Sequence, residues 1–176
     1  MQNQIEVNLK KYFAKTFNIA FYGLVAILLF LKAPGFFQNF SLQKTQPAAQ
    51  SLKRLSGEEI AFPIPEKKMV VIFWASWCGP CKLEMDRLNQ MMSLGEIKSS
   101  ELLAINMQEP KQTVVSFLEK HSYQFLVALD EFGVVANSYK VSGTPTVVFL
   151  DEKSQINWIT TGLSPLLEFR VRNFLR

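Results

Sequence analysis

The chain has 176 residues, 48% of them hydrophobic, and a net charge of +4. That length holds one ordinary domain plus an appendage, and that apolar content excludes a disordered chain. Its lysines and arginines are scattered, with no basic run interleaved with aromatics, which excludes a nucleic-acid binder.

The appendage comes first. Residues 16–31 (TFNIAFYGLVAILLFL) carry no charge. As a helix this run reaches about 24 Å, slightly short of a hydrocarbon core of about 30 Å. Lys15 and Lys32 extend the reach by snorkelling, and the aromatics of APGFFQNF suit the membrane interface. These features predict a transmembrane anchor over residues 16–36, after a cytoplasmic segment 1–15. A cleaved signal peptide has the same outline, but LKAPGFF puts phenylalanines where cleavage needs small side chains. Lys10, Lys11 and Lys15 precede the span and only Lys32 and Lys44 follow closely. The N-terminus is therefore expected in the cytoplasm and the rest across the membrane, which in a bacterium is the periplasm or outer face.

Residues 37–51 read as a polar linker containing Pro47, and 52–176 as a globular domain. LKRLSGEEIAF suggests a lead-in strand or hairpin around Gly57. MVVIFW (69–74) is a continuous β-branched and aromatic run, as a strand buried on both faces requires. A helix is expected from the CGPC stretch to about Met92, a second buried strand over 101–107, and a helix opened by Pro110 to about His121. YQFLVAL reads as a short extended piece and GVVANSYKV as a short helix. Strands at 146–151 and 156–161 come next, then a helix from Pro165 to Arg176 capped by Ser164. The order gives a mixed α/β sheet covered on both faces.

The only two cysteines stand three apart in WCGPC, residues 77–81. A structural zinc site needs four ligands, and this chain offers one CxxC and one histidine, His121, so no metal is expected. A structural crosslink closing so short a loop removes little entropy from the unfolded chain. Redox chemistry fits better. At a helix N-terminus the unpaired N–H groups and the dipole stabilise a thiolate at Cys78. Cys81, one turn on, lies on the same face within closing distance. Gly79 leaves room for a partner chain, and Pro80 suits a first turn that needs no donor there. Downstream, SGTPT (142–146) precedes a strand, and its Thr144–Pro145 bond is either cis or an ordinary turn.

In this order and spacing, WASWCGPCKLE, AIN, FLVALD and VSGTPTVVFLD resemble the thioredoxin superfamily. They are most similar to its membrane-anchored TlpA/ResA/CcmG-like thiol–disulfide oxidoreductases, over about residues 55–165. The resemblance implies a thioredoxin fold, a central mixed β-sheet flanked by helices. It implies Cys78 as nucleophile, Cys81 as resolving thiol and a redox-active Cys78–Cys81 disulfide. It implies a cis Pro145 beside them, and client contacts at Trp77, Gly79, Pro80, Thr144 and Pro145. Thioredoxins carry a buried aspartate two residues before the FWA tryptophan, where this chain has Ile72. The anchored branch often has instead a glutamate at the position of Glu84, suited to take the proton of Cys81. Two positions depart from the family: Asp86 replaces a helix-kinking proline, and Ser154 stands in a turn that usually carries glycine.

Without a flavin motif, nucleotide motif or third cysteine the chain cannot recharge itself, and no cofactor is expected. The expected electron donor is a membrane thiol carrier of the CcdA/DsbD kind. The resemblance points to exported clients with disulfides, such as apocytochrome c or copper-site assembly proteins. A thiol oxidase or isomerase, or a redox-silent binding module, are the alternatives.

Overall fold

The computed structural model describes Asn18, residues 21–26 and residues 42–176. The chain divides into two compact units, Met1–Gln38 and Asn39–Arg176. In the first, residues 21–26 are helical. Among the described residues no helix is long and apolar enough to cross a membrane. The expected anchor at 16–36 lies mostly outside the described residues, and the segment 1–15 wholly so.

The second unit is an α/β fold around one seven-stranded mixed sheet, as the resemblance implies. Its central strand is the expected apolar run, β3 (Met69–Trp74), with all six residues buried. β3 pairs in parallel with β4 (Leu102–Met107), which pairs in parallel with β5 (Leu126–Asp130). On its other side β3 runs antiparallel to β6 (Thr146–Leu150), and β6 to the edge strand β7 (Ile156–Thr161). β1 (Gln50–Arg54) runs antiparallel to β5 and forms a hairpin with β2 (Glu59–Phe62). The hairpin turns at Gly57, whose φ of +92° is open to glycine at little cost.

Among the described residues four helices cover the sheet: α1 (Gly79–Ser93), α2 (Lys111–Leu118), α3 (Val134–Ser138) and α4 (Leu167–Leu175). The period of two along β3 sends Val70, Ile72 and Trp74 into one core with residues of α1, α2 and α4. Met69, Val71 and Phe73 enter a second core with Val135, Ala136 and Tyr139.

Three sequence expectations shift. Part of the expected linker is folded: Gln50 and Ser51 belong to β1, and Leu42 is buried in the second core. Lys44 N–H donates to Ile156 O at 2.7 Å and Ile156 N–H to Thr45 O at 2.9 Å, so this stretch docks on the start of β7. It reads as polar because Leu42 alone turns inward. The last helix begins at Leu167 rather than Pro165, and no side chain caps it. Ser164 instead accepts the Leu167 N–H on its carbonyl at 3.1 Å. The Pro110 helix ends at Leu118; His121 lies beyond it, stacked on Phe117 with ring centroids 4.3 Å apart.

Candidate active site

β3 ends at Trp74, and residues 75–78 turn the chain into α1, with Cys78 N–H donating to Ala75 O at 3.1 Å. Cys78 is the N-cap of α1, and its Sγ accepts the Cys81 N–H at 3.2 Å. Sulfur thus occupies the place where a capping oxygen satisfies a free N–H of the first turn. Pro80 sits in that turn, where its missing donor costs nothing. Cys78 and Cys81 are joined as a disulfide with their Cα atoms 5.2 Å apart. Cys78 is 5% exposed and Cys81 fully enclosed, whereas Trp77 beside them is 77% exposed. Gly79 and Pro80 are exposed, and a Cβ on Gly79 would meet nothing within 4 Å. The approach to Cys78 is therefore open on the Gly79 side.

The Thr144–Pro145 bond is cis, which resolves the open reading of SGTPT. Because Thr146 pairs with Phe73, the cis peptide stands at the dithiol end of the sheet. Pro145 O accepts the Gly162 N–H at 2.7 Å, and Thr146 Oγ1 donates to Gly143 O at 2.7 Å. Pro145 is buried and Thr144 half-buried.

Glu84, expected near Cys81, is fully buried with both carboxylate oxygens engaged. Oε1 accepts the Ser164 N–H at 2.6 Å and Oε2 accepts from Arg87 Nη1 at 2.9 Å. Arg87 also donates to Glu168 and to Ser164 O, each at 2.9 Å. The cluster joins α1 to the start of α4. Asp86 leaves α1 continuous and ties it elsewhere, accepting from Lys82 Nζ at 3.0 Å and Tyr123 Oη at 2.8 Å. Burial opposes the Asp86 charge, but the bonds from Lys82 and Tyr123 outweigh it and hold the carboxyl below its ordinary value.

Sequence reading missed a second polar cluster. Glu109, just past β4, is buried at 7% exposure. It accepts from the Ser76 N–H at 2.7 Å, from the Ser76 hydroxyl and from Asn106 Nδ2 at 2.6 Å. Ser76 belongs to the turn that carries Cys78. The signal was available in the pairing of β3 with β4. The two are parallel neighbours, so the loops at their C-terminal ends lie side by side, the usual place for a site in an α/β sheet.

The family model described as the AhpC/TSA family matches residues 36–159. The chain belongs to that family. It is 33% identical over 147 residues to the thiol-disulfide oxidoreductase ResA of Geobacillus thermodenitrificans, covering 78% of this chain and 84% of that protein. The sporulation thiol-disulfide oxidoreductase A of Bacillus subtilis is 30% identical over 144 residues, covering 80% and 84%. Among solved structures, StoA from Bacillus subtilis superposes with a TM-score of 0.62 at 26% identity, covering 72% of this chain and 97% of that one. Fold, dithiol and relatives agree: the protein is a thiol–disulfide oxidoreductase of the ResA/StoA type.

Proposed function

We propose that the protein is a membrane-anchored reductase of disulfides in exported clients, with its catalytic domain on the periplasmic or outer face of a bacterial inner membrane. The observation that carries the reading is the Cys78–Cys81 pair at the N-terminus of α1, Cys78 slightly exposed beside the open Gly79 and Cys81 fully enclosed. In the reduced protein Cys78, favoured as a thiolate by the free N–H groups of the first turn, attacks one sulfur of a client disulfide. The client S–S bond breaks, its far sulfur leaves as a thiolate and takes a proton, and a Cys78–client disulfide forms. Cys81 then loses its proton and attacks Cys78 Sγ, releasing the second client thiolate and closing Cys78–Cys81. Two electrons have passed to the client.

Trp77, Gly79, Pro80, Thr144 and Pro145 make the surface on which the client lies, its backbone pairing beside the cis-proline loop. Glu84 is the acceptor of the Cys81 proton in this scheme, while each of its oxygens already holds one donor, from Ser164 and Arg87. A membrane dithiol carrier of the CcdA/DsbD kind returns the two electrons, and the anchor keeps the domain near it at raised effective concentration. Clients with cysteine pairs awaiting haem or copper suit this chemistry.

Insulin reduction by the full chain in detergent, with dithiothreitol returning two electrons to the Cys78–Cys81 pair at each cycle, tests the reading. The wild type turns over, Cys78→Ser does not, and Cys81→Ser accumulates mixed disulfides with clients in cells. A wild-type protein that leaves insulin oxidised while it oxidises reduced substrates would reverse the direction.

A further inference from the structure

Among the described residues three carboxylates are buried, and two have evident structural partners. Glu84 holds Arg87 and the Ser164 N–H. Asp130 accepts the N–H groups of Val135 and Ala136 at 3.2 and 2.7 Å, at the start of α3. Glu109 differs. Its oxygens receive the Ser76 N–H, the Ser76 hydroxyl and the Asn106 amide, and none of the ion pairs among the described residues includes it. A buried carboxylate without a cation depends on its hydrogen bonds alone to offset the loss of water, and those of Glu109 lead to the dithiol turn.

Other charged groups lie around the site, among them the exposed Lys111 that opens α2 two positions after Glu109. On α1, Lys82 pairs with Asp86 and Glu84 with Arg87. Past the end of α2, the exposed Lys120 shares a surface groove with Ser76. The cis-proline loop, residues 142–146, brings no ionisable side chain. The first turn of α1 contains no acidic residue either. Glu109 is thus the one buried charge fastened to the turn that presents Cys78.

We propose that Glu109 is a positioning and tuning residue for the dithiol: it straps the turn of residues 75–78 to β4 through Ser76, and its charge opposes a thiolate at Cys78. The inference rests on the reductase reading and deepens it. The N-terminus of α1 stabilises the anionic sulfur; a fixed negative charge nearby works against it. Raising the energy of the thiolate weakens the reduced state relative to the disulfide, so the pair gives up its electrons more readily. This charge therefore biases the protein toward donating electrons.

Three variants of the full chain in detergent separate charge from strapping, read by thiolate absorbance against pH and by equilibration with glutathione. Glu109→Gln keeps an acceptor and removes the charge. It should lower the Cys78 pKa by about one unit and, at a pH above both Cys78 pKa values, move the glutathione equilibrium about tenfold toward the dithiol. Ser76→Ala removes one bond and keeps the charge; it should cost stability while leaving both readouts at wild-type values. Glu109→Asp keeps the charge and shortens the reach, and should behave like Ser76→Ala. An unmoved thiol curve in Glu109→Gln overturns the proposal. So does a one-unit shift in Ser76→Ala or Glu109→Asp, a result that stands even where the glutamine variant fails to fold. Wild-type insulin reduction with an unshifted Glu109→Gln curve refutes the tuning alone, whereas loss of wild-type insulin reduction refutes the reductase reading.

Discussion

Val70, Ile72 and Trp74 of β3 point to the face covered by α1 and α4, while Met69, Val71 and Phe73 point to the face covered by α3. Neighbouring residues of one strand thus serve two different interiors. The first contains both sulfurs, and polar groups are built into it: Glu84 on α1, and Asn106 in register with Trp74. The second is dominated by apolar and aromatic side chains, with Phe62 and Phe73 packed on Tyr139 at centroid distances of 5.5 and 5.8 Å. Its acid, Asp130, is taken up by the first turn of α3. The contrast teaches that a sheet of this kind can gather its aromatic packing on one side and most of its buried polar groups beside the dithiol on the other. It does so because each carboxylate on the active side meets two or three donors.

The sharpest way to break this comparison sets one variant on each face. Cys78→Ser should abolish insulin reduction and leave the folded domain standing. Phe73→Ala should cost about 3–5 kcal/mol of stability through the cavity it leaves, with turnover per folded molecule unchanged. Denaturant unfolding and the insulin assay measure the two axes. Turnover lost in proportion to Phe73 packing, at a temperature where the variant is folded, would show that the faces are not separable.

On the active face, Arg87→Ala should cost about 3 kcal/mol, because Glu84 keeps its burial and loses its cation. Replacing both by leucine should recover most of that loss. The double variant also probes Glu84: full insulin turnover in it would remove Glu84 as an acceptor of the Cys81 proton.

Tyr139 supplies the smaller test on the other face. Its buried hydroxyl has no hydrogen-bond partner, and burial pushes the phenol above its ordinary value. Tyr139→Phe should therefore stabilise the domain by about 1 kcal/mol at neutral pH. Because the folded pKa is raised, the contribution of the neutral phenol is complete below the ordinary value near 10. It is lost as pH rises toward the folded value, since the unfolded chain releases the proton first. The phenylalanine variant should lose less stability than the wild type on titration into that alkaline range.

Much of this fold was legible in the chain. The uninterrupted run MVVIFW announced a strand buried on both faces, and WCGPC directly after it announced a thiol pair on a helix start. The features that escaped were decided by long-range partners. Nothing local distinguishes Glu109 from a solvated loop acid; only the parallel pairing of β3 with β4 brings it to Ser76, 33 positions away in the sequence. Ser164 looked like a cap for the last helix, but its N–H is drawn to Glu84 and the helix starts later. Leu42 was hidden in a polar stretch because a single inward side chain has no period.

Ser154 gives the smallest expected effect and the cleanest control, because it lies far from the chemistry. It sits in the β6–β7 turn at φ +61°, the left-handed region, and is 4% exposed. Its N–H donates to Asp151 O at 2.9 Å, and Asp151 Oδ1 accepts the N–H groups of Lys153 and Gln155, each at 2.9 Å. The turn's own bonds therefore fix a backbone shape that is strained for any residue with a side chain. Ser154→Gly removes that strain but frees the unfolded chain, so the net gain should be about 0.5 kcal/mol. The turn comes after Leu150, at the end of β6 opposite Thr146 and the cis peptide, so the Cys78 ionisation curve should not move. A glycine variant that is no more stable would mean that packing around the buried serine outweighs its backbone strain. One that shifted the thiol would mean that the two ends of β6 communicate, against the independence of stability and chemistry on which the comparison of faces depends.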